Sequence, residues 1–229
     1  MKKHTKTKKP RRPVIASDAC MQDLAATSPL NRQQDAAARL IRECVITFLV
    51  GPAGTGKTHI ACTHAARMVA DAQVERVVLT RPVVEAGESL GYLPGTYEEK
   101  AAPYLAPIYD VFEKVAGRVG RRRDQLNAAI TIAPIAYLRG RTFDDAIVIL
   151  DEAQNCTSQQ LRLVISRLGK GSQLIVTGDM TQSDLPASQQ ALGQVVKKLR
   201  PIAGIGLYEF DGSAIVRHPI LTAVLEVLK

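Results

Sequence analysis

VITFLVGPAGTGKT, residues 45–58, decides what kind of domain this chain builds. An apolar, β-branched run stops abruptly in a glycine-rich turn carrying a lysine and a threonine, and a helical pattern follows. Gly51, Gly56, Lys57 and Thr58 fill every fixed position of G-x-x-x-x-G-K-[ST], in the strand-before, helix-after context that a phosphate-binding loop requires. Glycines let the backbone curl until successive N–H groups point into one concavity, where a polyphosphate replaces water as their partner. The helix start adds the positive end of its dipole. The expected nucleoside triphosphate site comprises Gly51, Pro52, Ala53, Gly54, Thr55, Gly56, Lys57 and Thr58. In it Lys57 reaches the β and γ phosphates and the Thr58 hydroxyl holds Mg²⁺. The competing reading is an ordinary glycine-rich strand-to-helix turn, and the satisfied context argues against it.

Working outward, 229 residues suffice for one full α/β domain with a sizeable core and fall short of two. The net charge of +8 is a property of one end. Residues 1–12 hold Lys2, Lys3, Lys6, Lys8, Lys9, Arg11 and Arg12 with no acid, and the other basic residues nearly balance the 22 Asp and Glu. Such a run, beside Pro10 and Pro13, can bury too little to offset the entropy of ordering. Residues 1–27 are therefore expected to be a basic disordered tail and linker, and 28–229 a P-loop domain. The tail is either a solubilising extension or a source of non-specific phosphate contacts to a polyanion. Cys20, Cys44, Cys62 and Cys156 form no CxxC pair and have no histidine at ligand spacing, so neither a zinc site nor a disulfide framework is suggested and a reducing cytosol fits. The segment after the basic run is too polar for a signal-peptide core, and no run reaches membrane-spanning length. A cytoplasmic protein, neither exported nor embedded, is expected.

Periodicity predicts a helix leading into the Val45 strand, with Ser28 as cap and Pro29 in its first turn. Further helices are predicted from Lys57 to about Val69, Ser158–Leu168, Ser188–Leu199 and Ile220–Leu228, and on either side of Pro103 and Pro107 within Tyr97–Val115. Strands are predicted at Arg76–Thr80, Ala128–Ala133, Ala146–Leu150, Gln173–Thr177 and Ile205–Phe210, with a long loop at Val83–Gly95. Strands that are apolar runs, alternating with helices, imply an α/β fold with a mainly parallel sheet covered on both faces.

Chemistry gathers at the strand ends. AIVIL runs directly into Asp151 and Glu152, as in a Walker B element, where the aspartate holds the Mg²⁺ shell and the glutamate polarises the attacking water as general base. The alternative is an acidic turn capping the helix that begins near Thr157. QLIVT ends in Gly178, Asp179, Met180, Thr181 and Gln182, and Gln182 could hydrogen-bond the γ-phosphate or the lytic water; a turn with a surface glutamine is the other reading. Leu30, Asn31 and Gln34 precede the loop strand, and the Gln34 amide has the paired donor and acceptor that adenine's edge requires, although an exposed helix glutamine also fits.

LNRQQ, GPAGTGKT, LTRPVVEAGESLGYLPG, LDEAQN, TGDMTQSDLP and IVRHP, in this order, resemble the PhoH-like ATPases, from Pro29 to the end of the chain. The resemblance implies ATP binding and hydrolysis, a RecA-like fold similar to the first motor domain of superfamily-1 helicases, a ring-like homo-oligomer in some members, and a role on RNA or DNA. It also implies positions: Gln34 for reading adenine, Gly51–Thr58 for the phosphates, Asp151 and Glu152 as the Walker B pair, Gln182 as the glutamine of the third motif, and Arg217 as the arginine of the closing VRH motif. RNA-binding or nuclease extensions carried by some members are not matched in this sequence, so those activities are not expected. With room for one motor domain only, a charge-stabilising arginine, Arg217 or else Arg167, should come from a neighbouring subunit; each could instead be a surface or salt-bridging arginine.

Two functions compete. One is an ATPase motor acting on single-stranded RNA or DNA; the other is a nucleotide-dependent assembly or regulatory switch acting on protein partners. A small-molecule kinase fits less well, because the acid pair suits an activated water. For a polynucleotide, Thr80, Arg81, the Arg121–Arg123 cluster, and Arg139 with Arg141 are candidate contacts, and Tyr92, Tyr97, Tyr104 and Tyr109 could stack on bases or pack in the core. His59, His64 and His218 have no metal spacing and read as structural.

Overall fold

The computed structural model describes residues 31–82 and 128–214, with residues 106, 108–111, 113, 114 and 126 between them. In chain order the elements are α1 (Arg32–Glu43), β1 (Ile46–Val50), α2 (Lys57–Ala70), β2 (Arg76–Thr80), β3 (Ile130–Ile132), β4 (Ala146–Leu150), α3 (Ser158–Ile165), β5 (Gln173–Gly178), α4 (Leu192–Leu199) and β6 (Ile205–Glu209). The strands form one sheet ordered β3-β2-β4-β5-β1-β6, and every pairing among the described residues is parallel.

A parallel sheet must be covered on both faces, which is why the central strand β4, AIVIL, is apolar and buried at every residue rather than at every second one. Neighbouring residues point to opposite faces. Leu49, Val77, Leu79, Ile147 and Ile149 pack against Ala37 and Ile41 of α1 and Ile60, Ala61 and Ala65 of α2. Phe48, Val50, Val78, Val148 and Leu150 pack on the other face against Leu161 and Val164 of α3 and Leu192 and Val196 of α4. The common strand direction places all carboxyl ends along one edge, and β5 lies between β1 and β4. The turns after these three strands therefore emerge side by side.

Several predicted boundaries move. The first helix is capped by Asn31, not Ser28: its backbone is extended and its Oδ1 accepts from the Gln34 N–H at 2.9 Å. The third strand covers only Ile130–Ile132, because this edge strand pairs with β2 alone, over three residues. The helix after Thr157 stops at Ile165 rather than Leu168, because the next residues are drawn into pairing with Phe143: Phe143 N–H donates to Arg167 O and Gly169 N–H to Phe143 O. Residues 187–189 form a 3-10 turn and the helix proper begins at Leu192. Residues 108–111 are helical as expected. Ser28, the Val83–Gly95 loop, Arg121–Arg123, Tyr92, Tyr97, Tyr104, Arg217, His218 and the Ile220–Leu228 helix lie outside the described residues.

Gln173 ties three elements together at the opposite, amino edge. Its amide nitrogen donates to Ile41 O at 3.3 Å and Cys44 O at 3.2 Å, and its oxygen accepts from His64 Nε2 at 2.9 Å. Burial lowers the His64 pKa against the raising effect of this bond, and Arg42 and Arg67 lower it further. The unfolded histidine takes up a proton below about pH 6.5. The folded one resists it, so acidification through that value favours the unfolded state, by at most about 1.4 kcal/mol per pH unit. The urea unfolding midpoint should fall between pH 7.5 and 5.5, and His64→Gln should flatten that dependence. An equal pH dependence in the variant would assign it to other groups.

Candidate nucleotide site

The loop after β1 has the backbone that its glycines permit. Gly51, Gly54 and Gly56 have φ of 139°, 85° and 87°. Gly56 is also the N-cap of α2, with no side-chain cap and no acid in the first turn of the helix. No side chain at Gly56 competes for the start of α2, where backbone N–H groups and the positive end of the helix dipole suit an anion. Lys57 Nζ meanwhile donates to Gly51 O at 2.7 Å and Pro52 O at 2.8 Å, inside the curl of the loop. Thr55 is buried and its hydroxyl donates to Pro52 O at 3.0 Å, which fixes the loop tip.

Gln34 is buried, at 4% exposure, so it is not an exposed helix glutamine. Its Nε2 donates to Thr55 O at 3.0 Å, and a Cβ on Gly56 would come within 2.5 Å of that nitrogen. The side chain lies directly against the phosphate loop.

Asp151 is the point of convergence. It follows β4, is 4% exposed, and its N–H donates to Thr80 O at 2.9 Å. Its Oδ1 accepts from the Thr58 hydroxyl at 2.7 Å and from the Thr177 hydroxyl at 2.5 Å. The loop helix, the acid-bearing strand and the strand between them are thereby joined at one oxygen. Among the described residues no group of three or more His, Cys, Asp or Glu could hold a metal ion by itself. One carboxylate and one hydroxyl fit Mg²⁺, which keeps water and substrate phosphates in its shell, better than a cation needing an all-protein cage. Burial, and next the Asp151 charge, push the Cys62 thiol on α2 upward, so it stays protonated.

Glu152 adopts left-handed backbone, φ 54°, a conformation uncommon outside glycine and frequent at functional turns. This turns its side chain into a small network rather than into a helix cap; Thr157 caps α3 instead, in a reciprocal box with Gln160. Glu152 Oε2 accepts from Gln154 Nε2 at 2.5 Å, and Oε1 lies 3.7 Å from Arg81 Nη2 at the end of β2. Gln154 is buried and its Oε1 accepts from the Asp179 N–H at 3.0 Å. Ser183 Oγ donates to Gln154 O at 2.9 Å, and Asn155 and Asp184 exchange two hydrogen bonds of 2.7 and 2.8 Å. The turns after β4 and β5 are therefore stitched together. Asp179 is buried; its Oδ1 accepts from both the N–H and the hydroxyl of Thr181, and its Oδ2 has no partner among the described residues.

Gln182 and Arg167 are not drawn into this network, and Arg217 lies outside the described residues. Gln182 is exposed on the loop after β5 and makes no side-chain hydrogen bond with the described residues. Arg167 bonds to Ser166 Oγ and, at 3.1 Å, to Arg141 O, beside the chain entering the amino end of β4, on the edge away from the phosphate loop. Gln154 and Thr177 join the site although sequence reasoning assigns them no role. Both carry a signal: each sits within four residues of a strand end that already bears a motif.

The large terminase from a thermophilic bacteriophage superposes with a TM-score of 0.54 at 11% identity, over 93% of this chain and 50% of that one. The fold is that of a RecA-like P-loop NTPase. The PhoH-like protein of Bacillus subtilis (strain 168) is 47% identical over 182 residues, 79% of this chain and 57% of that protein. Protein PhoH of Escherichia coli (strain K12) is 37% identical over 211 residues, 89% of this chain and 59% of that protein. The chain thus spans less than two thirds of the length of these relatives. No helix among the described residues is long and apolar enough to cross a membrane. Residues 26–229 match the family described as PhoH-like protein, and the chain belongs to that family.

Proposed function

We propose that this chain binds and hydrolyses ATP with Mg²⁺ and acts as a helicase-like motor on single-stranded RNA or DNA, within one ATPase domain of residues 28–229. The observation that carries the reading is the meeting of the Thr58 and Thr177 hydroxyls on Asp151 Oδ1, which ties the phosphate loop to the acid pair. Mg²⁺, held by Thr58 and Asp151, would offset phosphate charge. The loop backbone and the start of α2 hold the phosphates, and Lys57 exchanges the Gly51 and Pro52 carbonyls for phosphate oxygens. Gln34, beside the loop, is the candidate contact to the base. Glu152 accepts the proton of the attacking water, with Gln154 fixing the orientation of its carboxylate. Gln182 is the candidate contact to the γ-phosphate or that water, and Arg217 or Arg167 of a neighbouring subunit the candidate charge stabiliser in a ring-like homo-oligomer.

A second reading, the nucleotide-dependent switch, is favoured by the Arg81–Glu152 contact. A carboxylate held between a guanidinium and an amide is occupied by them rather than by a water, which suits slow hydrolysis until Arg81 finds another partner. ATP turnover measured against single and double strands, alongside molecular mass with and without ATP, separates the two. Turnover that rises with a single strand supports the motor. Nucleotide-dependent assembly with no strand stimulation at low salt supports the switch and overturns the motor.

A further inference from the structure

We infer that the groove between α3 and the 3-10 turn Ile135–Leu138 is a binding track for the phosphate backbone of a single-stranded polynucleotide, with Arg139 and Arg162 as its phosphate contacts. The inference rests on the proposed action on a strand and gives that action a location. The groove has a volume of about 420 Å³. On one wall Gln159 and Arg162 of α3 and its C-cap Ser166 recur at helical spacing, while Leu161 and Val164 of the same helix are buried in the core. At 1.5 Å per residue, this wall runs for about 10 Å. The other wall is the 3-10 turn, held rigidly because Ile135 and Leu138 are 4% and 0% exposed, and it ends in Arg139.

Charge decides what such a groove accepts. Arg139 and Arg162 are exposed and neither side chain makes a hydrogen bond or ion pair with the described residues. No Asp or Glu among the described residues lines the groove. The carboxylates nearest in sequence are turned away: Asp144 Oδ1 accepts from the Lys170 N–H at 2.8 Å, and Asp145 Oδ1 lies at the backbone of Gly171. Beyond the groove, Arg141 stacks on Phe143 and Arg167 bonds to the Arg141 carbonyl, which extends the basic surface. Two guanidiniums on opposite walls of an open channel suit a chain of phosphates better than one small anion. The Gln159 amide and Ser166 hydroxyl can donate to phosphate or sugar oxygens, and the apolar floor of Ile135 and Leu163 can take the face of a sugar or base. α3 begins directly after the turn carrying Glu152 and Gln154, so a strand seated here grips the helix that continues from the acid pair.

The test is binding of a fluorescent single-stranded oligonucleotide, as oligo-dT and oligo-U, to the full chain and to Arg139→Ala/Arg162→Ala, as a function of salt. Losing two phosphate contacts should lower the slope of log affinity against log salt by about 1.4, which is about 25-fold in affinity at 0.1 M salt relative to 1 M. Arg139→Lys/Arg162→Lys should recover most of that loss, and binding of a fluorescent ATP analogue, which reports an intact fold, should be unchanged in both variants. Unchanged strand affinity and slope in the alanine variant, with strand binding by the parent chain, overturns the groove while leaving the motor reading in place. Absence of strand binding by the parent chain overturns both. A loss confined to a polyglutamate competitor would make the groove a site for acidic peptides and also overturn the inference.

Discussion

Glu152→Gln should lower ATP turnover by about 10²- to 10⁴-fold, the usual contribution of a positioned general base, while ATP stays bound. The substitution preserves shape and hydrogen bonding and removes only the ability to take a proton. Glutamine can still accept from Gln154 Nε2, which now meets the carboxylate at 2.5 Å, so the turn after β4 keeps its left-handed backbone. Asp151, Thr58 and Thr177 are untouched, so the phosphate end of the site remains whole. Single-turnover hydrolysis together with equilibrium binding of a fluorescent ATP analogue measures both halves of the expectation. Turnover at the parent rate would remove Glu152 from the role of base. Gln154→Ala makes a useful contrast: it frees the carboxylate to rotate and leaves the Asp179 N–H without its acceptor, at a cost of about 1–3 kcal/mol in stability. Its loss of turnover should be partial, because the base itself is retained.

The parts of this chain that chemistry constrains locally are legible without coordinates. G-x-x-x-x-G-K-[ST] forces a strand, a curled loop and a helix start at fixed offsets, and β1 and α2 begin within a residue of where that pattern puts them. AIVIL is too short and too β-branched for a helix, and it forms β4 over the predicted residues. What cannot be read is whatever depends on which turns become neighbours. Thr177 looks like the last residue of a buried strand until β5 is known to lie between β1 and β4, and only that order carries its hydroxyl to Asp151. Gln154 sits inside LDEAQN, yet its use depends on the Asp179 N–H, 25 residues further along. Gln34 looks exposed by helix position and is buried because the phosphate loop lies on it. Arg81 reads as a strand contact, and its neighbour in the structure is Glu152, across from the adjacent strand. The end of the helix after Thr157 escapes prediction for the same reason, since its last predicted residues pair with Phe143 instead.

Gly51→Ala should cost about 2–5 kcal/mol of stability, combining left-handed strain with steric overlap, and lower the unfolding temperature by about 10 °C. The glycine stands where the loop leaves β1, with φ of 139°, and a Cβ there would lie 2.4 Å from Phe210 O and 2.8 Å from Phe210 Cβ. Neither of those atoms can move alone. The Phe210 N–H donates to Val50 O at 2.7 Å, the ring is buried, and it meets Tyr208 edge-on at 4.8 Å. On the other side the Gly51 N–H donates to Gly178 O at 3.1 Å, so the residue is held between the ends of β5 and β6. Relief of the overlap must push the chain after β6 away from the loop or tilt the loop itself, and Gly51 O is one of the carbonyls that Lys57 bonds. Weaker nucleotide binding should therefore accompany the loss of stability. Gly212→Ala serves as the control, because a Cβ there meets nothing within 4 Å although it lies two residues from the same phenylalanine. Thermal unfolding of the two variants decides the point: equal melting would mean that Phe210 yields freely and that the first glycine of the loop serves only the curl of its own backbone. Unequal melting, with Gly51→Ala the lower, would tie the first glycine of the phosphate loop to a phenylalanine at the end of the edge strand.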